Sequence, residues 1–213
     1  MEEHELAVVV NNHYNKQRAN SYDKNILWRR YLTNTYNLAL KLGNPRKGEV
    51  VLDIPIGTGG LSERLVNKIG DSGKLYGADL SKEMLKKADD KLRKSNVFLL
   101  CSNVNELPYR EKMFDKVFSL SALHNFINPA YLIRECLRIL KPNGSFILID
   151  INRNYFSISL AELIFRFNPI HVRSYRREEA EYLLIKNGFK IKKAFSEKPG
   201  LFWGYYGILG KKI

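Results

Sequence analysis

At 213 residues and 45% hydrophobic content, the chain is long enough for one domain with a full core and is not disordered. Two cysteines, Cys101 and Cys136, exclude a disulfide scaffold or a Cys-rich metal site. The net charge of +13 is uneven: residues 1–48 carry 8 basic and 4 acidic groups, residues 151–213 carry 12 and 5, and the middle carries 15 and 13. Such a balance attracts an anionic substrate, nucleic acid or a membrane surface. No run of about five or six basic residues appears, which a polybasic arm would show. Dispersed lysines therefore read chiefly as solvated helix surface. They argue against a nucleic-acid partner and leave peripheral membrane contact open. No run reaches the roughly 18 apolar residues of a membrane span. Residues 1–10 lack the basic start and apolar core of a signal peptide, so a cytoplasmic protein is expected.

Residues 4–42 read as helical, interrupted near Ala19 to Asp23. Leu27, Tyr31 and Leu32 share a face that Tyr36, Leu40 and Leu42 continue. Gly43-Asn44-Pro45 breaks the pattern. The stretch from Val50 to Ser62 then reads as strand, tight turn and helix, with Leu61, Leu65 and Ile69 on one stripe. Gly57 and Gly59 fall where such a turn needs positive φ or backbone without Cβ, so that a ligand can approach. Ligands of doubly wound sheets sit beyond the carboxyl ends of the strands, and a helix N-terminus there offers unpaired N–H groups. The turn is no P-loop, since no Gly-Lys-Ser/Thr follows. It is a poor dinucleotide fingerprint too, because Ile54, Pro55 and Ile56 precede Gly57.

A second apolar run, Lys74 to Asp79, ends in a carboxylate that can accept hydrogen bonds from two ribose hydroxyls. Ser81 can cap the next helix, with Glu83 and Met84 in its first turn. Val97 to Cys101 reads as a third strand and Phe114 to Ser121 as a fourth, running into Ala122-Leu123-His124-Asn125-Phe126. Tyr131 to Leu140 is an amphipathic helix ended by Lys141-Pro142-Asn143-Gly144, and Ser145 to Ile151 is a fifth strand. Tyr155 to Phe167 is aromatic and helical. Arg176 to Gly188 is a helix, and Phe189–Phe195 with Phe202–Lys211 forms a last antiparallel pair.

The set of Asp53, Gly57 and Gly59, with Asp79 beyond, resembles the cofactor site of class I S-adenosylmethionine-dependent methyltransferases of the type 11, ubiquinone/menaquinone C-methyltransferase-like kind. Pro55 stands where many members have Gly. The stretch from Ser102 to Tyr109 resembles the family's Gly-Asp-Ala-x-x-Leu-Pro-Phe, with Asn103 in place of Asp; an amide oxygen can still accept from the adenine amine. Phe114-Asp115 and the Glu135, Arg138, Lys141-Pro142-Asn143-Gly144 pattern are also similar to the family. Tyr22-Asp23 resembles a Tyr-Asp of an N-terminal segment that folds over the cofactor.

The resemblance implies an α/β, doubly wound Rossmann-like seven-stranded sheet, mostly parallel with an antiparallel C-terminal strand and helices on both faces. It implies one domain: an N-terminal helical cover (1–47), a cofactor-binding core (48–151), a substrate cap (152–175) and a C-terminal helix with a strand pair (176–213). The implied cofactor is S-adenosylmethionine, with S-adenosylhomocysteine as product. Its site would comprise Tyr22, Asp53, Ile54, Gly57, Thr58, Gly59, Asp79, Leu80, Met84, Asn103, Val104 and Leu120.

In-line methyl transfer is mainly alignment. A base is needed only when the nucleophile must lose a proton. His124, after a core strand, is the candidate base, and Asp150, ending another strand, is the second. His4, His13 and His171 are spread without metal spacing, so no metal is expected. The expected acceptor is a small apolar or aromatic molecule in a pocket lined by Tyr155, Phe156, Phe165, Phe167, Trp203 and Tyr205. That pocket should lie between the segment around Tyr22, the His124 loop and the cap. The alternative is an RNA or protein methyltransferase using the basic ends.

Overall fold

The computed structural model describes residues 3–103, 107–165, 167–199 and 204–213. Within them, β1 (Val50–Asp53), β2 (Lys74–Asp79), β3 (Val97–Cys101), β4 (Phe114–Leu120), β5 (Leu140–Ile151), β6 (Phe189–Glu197) and β7 (Tyr205–Lys212) form one sheet. The order is β3-β2-β1-β4-β5-β7-β6. Strands β1 to β5 pair in parallel, and β7 runs antiparallel to both β5 and β6. This is the mostly parallel seven-stranded sheet expected from the sequence. Strand order reverses between β1 and β4, so the crevice typical of open α/β sheets opens beyond Asp53 and Leu120.

Both faces of the sheet are covered, and each strand alternates between them. Val51, Phe118, Ile147 and Ile149 face one layer, and Leu52, Val117, Phe146 and Leu148 face the other. The first layer holds α3 (Ile26–Gly43), α4 (Gly60–Ile69) and α5 (Lys82–Leu92); the second holds α6 (Pro129–Ile139) and α8 (Arg177–Lys186). The stripe Leu61, Leu65 and Ile69 is buried against the sheet as its spacing predicts. Each such fully buried aliphatic side chain contributes about 1.5–3 kcal/mol of transfer free energy.

Three boundaries differ from the sequence reading. The N-terminal helical stretch breaks twice, giving α1 (Glu3–His13) and α2 (Lys16–Ser21) ahead of α3. Asn15 and Asn25 restart the helices because their side chains accept from the backbone N–H of Arg18 and Trp28. Of these, α3 is a layer of the core rather than part of a cover. Residues Lys141 to Gly144 lie within β5 instead of forming a turn before it; the register jumps from Phe114–Leu140 to Lys116–Ser145 there, and Asn143 takes a positive φ. The aromatic helix is α7 (Phe156–Phe165), and β7 begins at Tyr205; Phe202 lies outside the described residues.

Candidate functional site

The turn after β1 is held from both neighbouring strands. The Ile54 N–H donates to the Phe118 carbonyl, and the Ile56 N–H donates to Ala78. Gly57 and Gly59 both take positive φ, 55° and 78°. The reasons differ. A Cβ on Gly59 would stand 3.2 Å from the Cα of Ala88, so this glycine lets the turn pack against α5. A Cβ on Gly57 would meet nothing within 4 Å, so this backbone borders open space.

Asp79, at the end of β2, is fixed to that turn. Its Oδ2 accepts from the Gly57 N–H at 2.8 Å and its Oδ1 from the Ser81 N–H at 2.9 Å. Burial pushes its carboxyl up to about 6, although the N–H donors of Ser81, Gly57 and Leu80 pull it down. Each oxygen still has a second lone pair for a ligand hydroxyl. Asp53 is turned inward, with Oδ2 accepting from the Ser62 hydroxyl at 2.7 Å. Burial raises its carboxyl to about 8, opposed by the Ser62 bond and reinforced by the Asp79 charge. Asp53 thus braces strand and helix.

The N-terminal segment lies across this turn. Ser81 Oγ donates to the Tyr14 carbonyl at 3.0 Å, Thr58 Oγ1 donates to Asp23 Oδ1 at 3.1 Å, and Lys91 pairs with Asp23 Oδ2 at 3.1 Å. Tyr14, Tyr22, Trp28 and Tyr31 form a chain of ring contacts between 4.9 and 6.1 Å. Tyr31 continues it to β4, where its hydroxyl hydrogen-bonds Ser121 at 3.0 Å.

A cavity of about 650 Å³ lies between α1, α2, the start of α3, the β4 exit and the 168–171 segment. His124, in a single 3-10 turn (Leu123–Asn125), lines it. Its Nδ1 is 2.6 Å from Asp150 Oδ1, and its backbone N–H donates to Asp150 Oδ2 at 3.2 Å. Asp150 also accepts from the Ile151 N–H at 2.7 Å, so it acts as acceptor throughout. That assigns the proton to Nδ1 and the lone pair to Nε2. Ser121, just ahead, takes a positive φ of 51°, an uncommon conformation for serine that redirects the chain from β4 into the histidine turn.

His171 lies beside His124, with ring centroids 5.3 Å apart. The Val172 and Arg173 N–H groups both donate to the His124 carbonyl, at 2.9 and 3.1 Å. Glu162 of α7 reaches His171 Nε2 at 3.0 Å and accepts from the Ser174 N–H at 3.0 Å. Burial lowers the His171 pKa, with the neighbouring His124 adding to the effect, while Glu162 opposes it.

The structure therefore gathers Tyr22, Thr58, Gly57, Gly59 and Asp79 around the turn, and brings His124 and Asp150 into direct contact. Leu80 and Leu120 are half-buried at the ends of β2 and β4. Ile54 and Met84 are buried, so their side chains are packing groups. Asn103 is half-buried just after β3, where the Ser102 N–H donates to the Asp79 carbonyl. Val104 lies outside the described residues.

The expected aromatic lining needs correction. Phe156 and Phe167 point to solvent, Tyr205 is buried in the core, and Tyr155 packs on Gly204 and Lys198. None of these lines the described cavity, and Trp203 and the Phe165 side chain lie outside the described residues. Tyr14, Tyr22 and Trp28 supply the aromatic wall instead. The sequence reading missed His13, Tyr14, Arg18, Ser121 and His171. A polar stripe across Asn15, Arg18 and Tyr22 in the cover was the available signal. Among the described residues no group of three or more metal-binding side chains occurs, and no helix is long and apolar enough to cross a membrane.

Residues 52–148 match the Methyltransferase domain family, Methyltransf_11. The chain is 30% identical over 134 residues to the ubiquinone/menaquinone biosynthesis C-methyltransferase UbiE of Cronobacter sakazakii, covering 61% of this chain and 51% of that protein. It is 31% identical over 172 residues to the UbiE of Pseudomonas savastanoi pv. phaseolicola, covering 78% and 64%. The chain thus spans about half of the first of these relatives. A SAM dependent methyltransferase from Aquifex aeolicus shares the fold with a TM-score of 0.69 at 23% identity, covering 84% of this chain and 89% of that one.

Proposed function

We propose that this chain, whose residues 52–148 are a methyltransferase domain, transfers a methyl group from S-adenosylmethionine to a small molecule. The observation that carries the reading is the Asp79–Gly57 bond beside the open side of Gly57. It supplies a buried carboxylate for the ribose hydroxyls and backbone without a Cβ for close approach. Asn103 is the acceptor for the adenine amine. Thr58, Gly59 and Leu80 shape the turn, and Tyr22 covers it. Asp53, Ile54 and Met84 position these groups through the core, Leu120 closes the β4 side, and Val104 keeps only the adenine contact that the family resemblance implies.

The bound cofactor supplies a methyl group on a sulfonium, which needs no covalent help from the protein. The protein's part is alignment and, for a protonated nucleophile, removal of a proton. His124 Nε2 takes the proton from the acceptor's O–H, N–H or activated C–H. Asp150 at Nδ1 then stabilises the resulting imidazolium without itself being protonated. The likeness to C-methyltransferases supports a carbon acceptor activated by a neighbouring hydroxyl. A cavity of about 650 Å³ favours a small acceptor over a polymer.

Titration calorimetry with S-adenosylmethionine and S-adenosylhomocysteine tests the cofactor. Absence of heat from folded protein would refute it. Incubating the protein with methyl-labelled cofactor and a metabolite extract, then identifying the labelled product by mass, tests the acceptor class.

A further inference from the structure

The cavity walls are more polar than a site for an apolar acceptor requires. Among the described residues that line the cavity, Arg18 is the one permanently charged group, and it makes no ion pair with any described residue. Among the described residues no carboxylate lines the cavity. Asp150 and Glu162, which border it, are engaged by His124 and His171. His13 also lines it, and its Nε2 is buried with no hydrogen-bond partner. An unpartnered buried nitrogen costs free energy unless a ligand satisfies it.

His13 and His171 do not supply the positive charge. Burial, with Arg18 adding repulsion, lowers the His13 pKa to about 4, and burial lowers that of His171. At neutral pH both rings serve as uncharged hydrogen-bonding groups, and the fixed positive field in the cavity comes from Arg18. A cation facing a cavity with no counter-charge among the described lining residues favours a negative ligand.

Resting on the methyl-transfer reading above, we infer that the acceptor is a small organic anion whose carboxylate or phosphate is held by Arg18 and His13, while its reacting atom lies at His124. This divides the cavity between two tasks. The α1–α2 wall recognises charge, and the His124–Asp150 pair handles the proton. A long apolar acceptor would leave His13 Nε2 without a partner and Arg18 without a counter-charge.

Binding distinguishes the cases without turnover. S-adenosylhomocysteine-saturated protein is titrated by calorimetry with matched probes: 4-hydroxybenzoate against its methyl ester, and phenyl phosphate against benzyl alcohol. The expected result is that at least one anion binds roughly tenfold or more tighter than its neutral partner, the scale of a charge-assisted hydrogen bond. Arg18→Gln should bring that ratio to within about threefold, Arg18→Lys should keep most of it, and His13→Gln should weaken the anion more than the neutral probe. No preference in the wild type overturns the inference, as does a preference untouched by Arg18→Gln. Circular dichroism confirms that each variant is folded. S-adenosylhomocysteine affinity is measured separately: its absence refutes methyl transfer, whereas intact affinity without anion preference refutes only the anionic acceptor.

Discussion

Asp23 ties the N-terminal segment to the Gly-rich turn, its two carboxylate oxygens taken by the Thr58 hydroxyl and the Lys91 ammonium, each at 3.1 Å. The pair with Lys91 is partly exposed, with side-chain exposures of 29% and 44%, so its stability contribution is screened to about 0–1 kcal/mol. Its larger effect is on the covered state of the site. Asp23→Ala should leave the melting temperature nearly unchanged while speeding S-adenosylhomocysteine dissociation several-fold. Stopped-flow fluorescence of Trp28 can follow this. An unchanged dissociation rate would remove the segment from cofactor retention.

Asp79 offers a pH signature. Its carboxyl sits at about 6 in the folded protein, and ligand hydroxyls favour its ionised form. S-adenosylhomocysteine affinity should therefore rise as pH increases through about 6 and level off above it. Asp79→Ala should cost about 1.5–3 kcal/mol of binding at pH 8, the scale for hydrogen bonds to a charged group. Asp79→Asn should lose less affinity and flatten the pH dependence. Calorimetry from about one pH unit below to about two above the Asp79 midpoint checks all three.

The buried Asp53 makes a separate prediction for stability. Its folded pKa, about 8, lies above the ordinary carboxyl value of 3.8. The folded state thus holds a proton that the unfolded state has released. Its stabilisation is complete below about pH 4 and is lost as pH rises toward about 8. Asp79 acts in the same direction over a narrower window. Asp53→Asn keeps an acceptor for the Ser62 hydroxyl and removes the titration. The fall in melting temperature of the ligand-free protein from pH 5 to 8 should be smaller in this variant; the same slope in both proteins would contradict the burial argument.

Strands and turns were legible because their causes are local. Val50 to Asp53 and Ser145 to Ile151 are apolar runs of strand length, and Gly57 and Gly59 mark a turn that few other residues could make. Asp79 was legible through its position at the end of an apolar run. The cavity was not, because its residues come from four separate stretches. Only the tertiary fold puts His171 5.3 Å from His124, and the link is made by backbone N–H groups of Val172 and Arg173 that any sequence could supply. The aromatic residues of the 155–167 stretch misled for a related reason. Aromatic content says that a side chain can line a pocket, but Phe156 and Phe167 face outward, while Tyr14, Tyr22 and Trp28 were drawn in by mutual ring contacts.

His124 and Asp150 should act as one unit. The 2.6 Å contact fixes the ring and its proton on Nδ1, leaving the Nε2 lone pair for the proposed role of base. His124→Ala should reduce turnover by about 10²-fold or more at neutral pH, the usual contribution of a general base. It should leave S-adenosylhomocysteine affinity within about 1 kcal/mol, the size of one neutral hydrogen bond. The deficit should shrink as pH rises and the acceptor ionises unaided. Asp150→Asn keeps the shape but supplies a neutral partner, and it permits an amide donor that would place the lone pair on the wrong nitrogen. Its loss should therefore approach that of His124→Ala. The decisive comparison is the double variant. If the pair is a unit, His124→Ala with Asp150→Asn should be no slower than His124→Ala alone. Multiplicative losses would mean that Asp150 acts elsewhere, through the backbone N–H groups of His124 and Ile151 that it also holds. Steady-state kinetics of the four proteins across pH, with cofactor affinity measured alongside, separates a proton-transfer role from packing, because a packing role would lower affinity and rate together.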